Sequence, residues 1–156
     1  TGSREKQSVT IGTKKLIPHV LELSFGVDRN VWALLDLSYA RGDRTVLRLP
    51  PRLAPVAAAI FPLVNKDGLP EKAETLYASL RRRLTVFFDD SGSIGRRYAR
   101  MDEIGTPFCV TVDHETLEGK GVTVRERDSQ KQMRVAEADL GNTLTRLLGG
   151  DASVGS

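Results

Sequence analysis

Cysteine is scarce in this sequence, which has Cys109 as its only one among 156 residues. A single thiol excludes a disulfide within the chain, and with only two histidines, His19 and His114, it cannot complete a zinc cluster. Cys109 lies in the apolar run PFCVTV, so the sequence predicts a buried and unreactive thiol. We therefore expect no metal site.

Long apolar runs are missing as well. No stretch reaches the ~18 apolar residues that a membrane-spanning helix needs. The opening TGSREKQS has neither the apolar core of a signal peptide nor the Arg-rich pattern of a transit peptide. The sequence therefore predicts a soluble protein with no membrane partner. We expect it in the cytoplasm, with an organelle as the open alternative.

Neither sign of charge dominates. Lysine and arginine number 23 against 20 aspartates and glutamates, which gives a net charge of +3. A mildly basic chain suits a polyanionic partner, but many other soluble domains have the same balance. Charge alone leaves the function open.

The first third of the chain reads as a strand followed by a helix. The segment LIPHVLEL predicts a buried strand that ends near Ser24. Apolar residues then recur at helical spacing from Val27 to Tyr39, with Ser24 as the expected N-cap and Arg29 in the first turn. The polar stretch ARGDR and the three prolines of LRLPPRLAP follow, and we place a domain junction there.

Beyond this junction, strand patterns alternate with helical patterns. The strands are VAAAIFPLV, LTVFFDD and PFCVTV, and the helices begin near Pro70 and Ile94. This alternation predicts a parallel sheet with right-handed crossovers. The segments VTVRERD and KQMRV predict an antiparallel edge, and a last helix precedes a disordered tail. The fold class is therefore α/β, with a mixed, mainly parallel sheet flanked by helices.

Two parts of the chain resemble one family. HVLELSFGVDRNVWALL resembles motif 3 of class II aminoacyl-tRNA synthetases, in the form found in glycyl-tRNA synthetases, where a strand bearing E-P-S-F-G or E-P-S-A-G runs into a G-x-D-R helix. FPLVNKDGLPEKAETLY, DDSGSIGRRYARMDEIGTPFCVTVD and VTVRERDSQKQMRV resemble the anticodon-binding domain that follows it. The resemblance covers about Ile17 to Val135, and Leu23 stands where the family usually has proline.

The resemblance implies roles for three residues near motif 3. Arg29 would be catalytic and bind the phosphates of ATP, because a rigidly held guanidinium makes bidentate, permanently charged contacts. Glu22 and Ser24 would face the glycine. Without the resemblance, Arg29 would be interpreted as a surface arginine paired with Asp28 or Asp36. Glu22 would then be an acidic residue at the end of a strand, and Ser24 a helix cap.

The resemblance also implies a division of the chain. Residues 1–44 would be the end of a catalytic domain, 45–148 the anticodon-binding domain and 149–156 the disordered tail. Motifs 1 and 2 of the family do not fit upstream of Lys15, so we expect the isolated chain to be inactive and to need no cofactor. The parent would be a homodimer that uses ATP with Mg²⁺, and its remaining catalytic domain would be a partner.

The implied RNA partner is the anticodon loop of a glycine tRNA, whose anticodon ends in two cytosines. Their N4 amino groups suit carboxylates, and unstacked bases suit guanidinium planes. The candidate base readers are Asp102 and Glu103, and the candidate phosphate or stacking groups are Arg96, Arg97, Arg100, Arg125 and Arg127. A solvated helix with an Arg100–Glu103 pair is the plain alternative.

Three functions remain open at this point. The first is a portion of a glycine-tRNA ligase. The second is a non-catalytic synthetase-like module that binds nucleic acid or protein, and the third is a small α/β domain whose basic loops bind another phosphate ligand. The glycine-rich DDSGSIG is a weak phosphate signal by itself. The ordered succession of family motifs favours the first.

Overall fold

The computed structural model describes residues 8–17 and 21–150. The helices are α1 (Val27–Ser38), α2 (Leu69–Leu80), α3 (Ile94–Ile104), α4 (His114–Leu117) and α5 (Leu140–Gly149), with turns of 3-10 helix at Pro51–Leu53 and Glu137–Asp139. The strands are β1 (Val9–Ile11), β2 (Lys14–Leu16), β3 (Tyr39–Arg41), β4 (Thr45–Leu47), β5 (Ala58–Pro62), β6 (Val86–Phe88), β7 (Phe108–Val112), β8 (Val122–Glu126) and β9 (Gln132–Val135). Among the described residues, no helix has the length and apolar character needed to cross a membrane.

The central element is a five-stranded sheet in the order β6-β5-β7-β8-β9. Strand β5 pairs in parallel with both β6 and β7, whereas β8 is antiparallel to β7 and β9 is antiparallel to β8. The parallel pairs are joined through α2 and α3, because a strand that returns in parallel needs a crossover connection. The predicted α/β class, with a mixed sheet flanked by helices and an antiparallel edge, is confirmed.

Both faces of the sheet are covered because the side chains of β5 alternate between them. Ala58 and Ile60 belong to the larger apolar cluster, which α2 and α5 complete. Ala59 and Phe61 belong to a second cluster with Met101 of α3. Helices α2 and α5 therefore cover one face, and α3 covers the other.

The single thiol lies on the α3 side of the sheet, in β7. Cys109 is 1% exposed, and burial raises its pKa to about 12. The thiol therefore stays protonated near neutral pH, and only the thiolate is a nucleophile. The predicted burial of Cys109 is confirmed.

The predicted buried strand before α1 is wrong. Only residues 14–16 of that region form a strand, β2, which pairs with β1 in a hairpin, and residues 18–20 lie outside the described residues. Residues 21–26 have no regular structure, and Leu21 and Leu23 are 86% and 74% exposed. A buried strand needs a neighbouring sheet to pair with its backbone, and none of the described strands lies beside this segment.

Helix α1 forms where its apolar spacing predicts, but its N-cap differs from the prediction. Gly26 is the N-cap, and no side chain caps the helix. Asn30 instead donates from its side chain to the carbonyl of Gly26. Ser24 therefore does not cap α1, because it lies two residues too early in the chain. The C-terminal boundary also differs from the prediction. Helix α5 extends to Gly149, which is the first residue of the predicted tail.

Residues 40–44 form part of a hairpin that the sequence did not predict. Strands β3 and β4 are antiparallel, and β4 packs against α3. Helix α3 is followed by its C-cap Gly105, whose φ of +82° suits glycine, and a Cβ there would lie 3.0 Å from the carbonyl oxygen of Leu47. Glycine thus permits the close approach of this hairpin to α3. The expected boundary between residues 44 and 45 falls in the turn of the hairpin.

Candidate nucleic-acid interface

The carboxyl ends of the parallel strands carry two loops. Residues 63–68 connect β5 to α2, and residues 89–93 connect β6 to α3. Because β6 and β7 lie on opposite sides of β5, the topology reverses direction at this edge. Open α/β sheets bind their ligands in the crevice at such a switch point. We call these two loops the carboxyl edge, and they form the candidate interface.

Arg97 of α3 joins the 89–93 loop to the carboxyl end of β5 and, through a hydrogen bond of 3.3 Å from its Nη2 to Oδ1 of Asn65, to the 63–68 loop. Its side chain donates through Nη1 to the carbonyl of Pro62, and through Nη2 to the carbonyls of Asp90 and Gly92, each at 2.7 Å. Asn65 adds a bond of 2.7 Å from its Nδ2 to the carbonyl of Asp90. Arg97 is only 2% exposed. The predicted tRNA-binding arginine is therefore a buried group that positions the loops.

Arg100 fixes the shape of the 89–93 loop from one helical turn further along α3. Its Nε donates to Oδ2 of Asp89 at 2.9 Å, and its Nη2 donates to the carbonyl of Ser91 at 2.7 Å. Asp89 also accepts from the backbone N–H of Ser91 at 2.9 Å. The Asp89 side chain is 8% exposed, whereas the Arg100 side chain is 42% exposed. Arg100 therefore has a structural role and still reaches the surface.

Asp102 lies in a buried ion cluster instead of at the surface. It accepts from Nη1 and Nη2 of Arg125 at 3.2 and 3.3 Å, and Arg44 of the hairpin turn donates to the same carboxylate. The guanidinium carbon of Arg125 lies 4.7 Å from the centre of the Tyr98 ring, at cation–π distance. Asp102 and Arg125 are 2% and 6% exposed. Both are therefore committed to contacts inside the fold.

Arg127 is a second buried arginine, and it joins three separate segments. Its Nη1 donates to the carbonyl of Gly105 at 2.8 Å, and its Nη2 donates to the carbonyl of Leu49 at 2.9 Å. Asp128 accepts from Nε and Nη2 at 3.0 and 2.7 Å. Arg127 is 2% exposed. It stabilises the path between the hairpin and β5.

Four of the seven predicted tRNA-contacting residues are thus both buried and engaged within the protein. They are Arg97, Asp102, Arg125 and Arg127. Reaching an RNA would require each of them to give up a charge-assisted hydrogen bond in a site that excludes water, which is unfavourable. In the sequence, charged residues form the same pattern whether their side chains are exposed to solvent or buried. Burial becomes visible only when the partners on distant segments are known.

Two predicted tRNA-contacting residues of α3, Arg96 and Glu103, are exposed. Arg96 lies near the start of the helix, at the carboxyl edge, whereas Glu103 lies in the last turn. Seven residues of helix separate them by roughly 10 Å along the axis. They could therefore contact different nucleotides of one RNA loop.

The carboxyl edge also contains a shallow groove that the sequence did not predict. Its volume is about 490 Å³, and it is lined by Leu63, Val64, Asn65, Gly92, Ser93, Ile94 and Arg97. Ser93 is the N-cap of α3, but its side chain makes no capping hydrogen bond. The first N–H groups of α3 therefore retain the capacity to bind an acceptor. Asn65 and Ser93 could have been recognised only as turn and cap residues.

The carboxyl end of β7 is fixed by Asp113. Its carboxylate accepts from both Nη atoms of Arg134 at 2.9 and 3.0 Å and from the backbone N–H of Thr116, which caps α4. Burial raises the pKa of Asp113, but the hydrogen bonds from Arg134 and Thr116 outweigh it and hold this pKa below its usual value. Asp113 is therefore ionised at neutral pH and ties β9 to the end of β7.

The three residues assigned to ATP and glycine lie before or within α1. Glu22 and Ser24 are exposed in the irregular segment, and Arg29 is exposed in the first turn of the helix. The apolar residues around them are exposed as well, including Phe25 at 79% and Trp32 at 69%. These side chains have room for contacts with groups beyond the described chain.

Comparison with known protein families identifies the domain that contains the main sheet. Residues 57–147 match the family model described as the anticodon binding domain. The chain belongs to this family. The matched region begins just before β5 and ends in α5, so the anticodon-binding domain comprises the whole five-stranded sheet with its helices, including both loops of the carboxyl edge.

Several curated proteins that are named glycine–tRNA ligases are similar to this chain over most of its length. The protein from Rhodopirellula baltica is 46% identical over 140 residues, which are 83% of this chain and 26% of that protein. The protein from Methanocaldococcus jannaschii is 50% identical over 84% of this chain and 23% of its own length. The protein from Thermobifida fusca is 49% identical over 87% and 32%. The chain thus spans about a quarter to a third of these relatives, and the predicted resemblance to glycyl-tRNA synthetases is confirmed.

Proposed function

We propose that residues 45–148 bind the anticodon loop of a glycine tRNA, as the C-terminal portion of a longer ligase that activates glycine with ATP. The observation that carries this proposal is the family match over residues 57–147, on a fold whose switch-point edge is exposed. The names of the relatives supply the amino acid. The parent ligase would be a soluble protein of the cytoplasm.

The carboxyl edge has the groups that a splayed RNA loop requires. Arg96 would hold a phosphate, and the polar side chains of Asn65 and Ser93 would meet base edges. Arg97 and Arg100 would act through the loops that they position. Glu103 remains the candidate acceptor for a cytosine N4 amino group, because a carboxylate matches that donor.

The segment before the main sheet would belong to the catalytic domain of the parent. Arg29 would bind ATP phosphates, and Glu22 and Ser24 would line the glycine pocket. The remaining catalytic groups, ATP with Mg²⁺ and the homodimer interface would all belong to the parent protein. The exposed apolar side chains around α1 support this assignment, since single-chain proteins seldom leave so many apolar residues unpacked.

The proposed domain boundary lies near the end of α1. The sequence division into residues 1–44, 45–148 and 149–156 places the junction in the hairpin. The ion pair from Arg44 to Asp102 attaches this hairpin to the anticodon-binding domain, which supports a boundary between α1 and β3. Residues 1–38 would then stay with the catalytic domain.

The test is binding of an RNA stem-loop that has the anticodon arm sequence of a glycine tRNA. We expect weak, salt-sensitive binding, because lysines and arginines release counterions from the phosphates. Replacing either anticodon cytosine should weaken binding by about 1–3 kcal/mol, the contribution of one good base-edge contact. Binding that ignores both cytosines would reject anticodon recognition.

Two arginine variants separate this site from general basic attraction. Arg96→Ala should weaken all stem-loops alike, because a phosphate contact has no base preference. Arg82→Ala is the matched control, since Arg82 is exposed after the C-terminal end of α2, at the opposite edge of the sheet. Equal losses in the two variants would show that the carboxyl edge is not the interface.

A further inference from the structure

A second groove runs along the outer edge of the sheet, beside the free side of β6. Among the described strands, β6 is the last on its side of the sheet and pairs only with β5. The groove has a volume of about 500 Å³ and is lined by Phe87, Asp89, Ser91, Arg100, Met101, Glu103 and Ile104. This volume lies within the usual range for small-molecule sites. We call it the edge groove.

The floor of the edge groove is apolar and contains an exposed aromatic ring. Phe87 is 46% exposed, and Ile104 is 41% exposed. The neighbours of Phe87 in the strand, Val86 and Phe88, pack against the larger apolar cluster on the other face. Alternation along the strand therefore directs Phe87 to the α3 face. There the ring adds little to the core, because α3 leaves almost half of it uncovered.

A held guanidinium and a carboxylate lie beside this ring. The Arg100 guanidinium is fixed by Asp89 and the carbonyl of Ser91, so its plane is set before any ligand arrives. Aromatic rings and guanidinium planes are the two surfaces on which unpaired bases stack. Glu103 is exposed and can accept from an exocyclic amino group.

We propose that the edge groove binds one unpaired nucleobase, stacked on Phe87 and accepted at its exocyclic amine by Glu103. This inference rests on the proposed RNA binding, because the base belongs to the same RNA that the carboxyl edge holds. The two surfaces are continuous, since Asp89 and Ser91 belong to the 89–93 loop and also line the edge groove. A nucleotide next to those at the carboxyl edge therefore has a direct path to Phe87.

The test uses the 156-residue chain and the glycine stem-loop RNA, with each loop base in turn replaced by an abasic site. Phe87→Ala should weaken binding about 5- to 150-fold, the equivalent of ~1–3 kcal/mol for one stacked base. One abasic RNA should bind the wild type just as weakly, and Phe87→Ala should cause no further loss on that RNA. Phe87→Tyr keeps a ring and should bind within about threefold of the wild type.

Glu103→Gln tests the contact to the exocyclic amine. It should reduce the preference for an amino-bearing base at the position that the abasic series identifies, and leave the other positions unchanged. Leu53→Ala is the control for loss of an exposed apolar side chain, because Leu53 is 56% exposed and does not line the edge groove. It should bind like the wild type.

The experiment distinguishes an error in the proposed base site from an error in the proposed RNA binding. If the wild type binds and Phe87→Ala binds equally well, the edge groove is not a base site, although anticodon binding stands. If Phe87→Ala weakens every abasic RNA alike, stacking of one base is excluded. If Phe87→Ala changes the oligomeric state in sedimentation and not the affinity, the groove instead binds a second copy of the chain. If the wild type binds no stem-loop, the proposed function and this inference both fail.

Discussion

Replacement of Arg97 by alanine should destabilise the domain although Arg97 belongs to a sequence that looks like a basic RNA-binding stretch. The Pro62 carbonyl lies in a buried residue, so removing its donor leaves an acceptor without water or partner, which costs about 1–3 kcal/mol. The carbonyls of Asp90 and Gly92 are in exposed residues and regain water, so each loses only about 0.5–1.5 kcal/mol.

These contributions give an expected loss of about 2–4 kcal/mol in the free energy of unfolding of Arg97→Ala, allowing for partial relaxation of the loops. For a urea m-value of about 2 kcal/mol/M, the unfolding midpoint should fall by about 1–2 M. Circular dichroism during urea titration measures this shift. Arg96→Ala is the matched control, because it makes the same substitution at an exposed neighbour and should stay within about 0.5 kcal/mol of the wild type.

The reasoning would be refuted if Arg97→Ala unfolded at the same urea concentration as Arg96→Ala. A second readout separates positioning from direct contact with RNA. In the folded range, Arg97→Ala should lose discrimination between stem-loops because Asn65 of the 63–68 loop and the carbonyls of the 89–93 loop lose their shared donor. Arg97→Lys should not restore this discrimination, because an ammonium lacks the planar fork that reaches the carbonyls of β5 and of the 89–93 loop at once.

Three further predictions concern Asp113, Cys109 and the proposed catalytic segment. Because its pKa is lowered in the fold, Asp113 stabilises the protein above its unfolded pKa of about 3.9 and loses that contribution as the pH falls. The difference in unfolding free energy between the wild type and Asp113→Asn should thus shrink from pH 7 to pH 3, and an unchanged difference would contradict the ion pair with Arg134. Cys109 should resist thiol reagents in the native protein and react after denaturation; rapid native labelling would show that the site opens. The isolated chain should show no glycine-dependent exchange of pyrophosphate into ATP, and in the parent Arg29→Ala should abolish that exchange while tRNA binding persists; activity of the isolated chain would refute the proposal that it contains only part of a catalytic domain.

The sequence by itself was sufficient to predict the alternation of strands and helices along the chain that builds the main sheet. Apolar runs at residues 56–64 and 107–112 predict β5 and β7, because strands covered on both faces need nearly continuous apolar residues. The helical spacing after Pro70 and Ile94 predicts α2 and α3 because only one face of each helix meets the sheet. Local patterns of this kind depend on neighbouring residues alone.

The N-terminal strand shows where local patterns are insufficient. The apolar residues before Ser24 have the composition of a buried strand, but a strand is stabilised by partners elsewhere in the protein. The hairpin β3–β4 shows the converse, since its short polar turn reads as a linker while long-range contacts of β4 with α3 hold it in place.

The roles of the arginines were decided only by the tertiary structure. Arg96 and Arg97 are adjacent in sequence, but one is exposed and the other is 2% exposed, because successive helical residues point about 100° apart. Arg125 is buried because Asp102, 23 positions away, supplies the compensating charge. The sequence therefore determined the family, the sheet and its helices. Which charges face an RNA depended on partners that only folding brings together, since a buried charge is tolerated only where an opposite charge or a set of acceptors surrounds it.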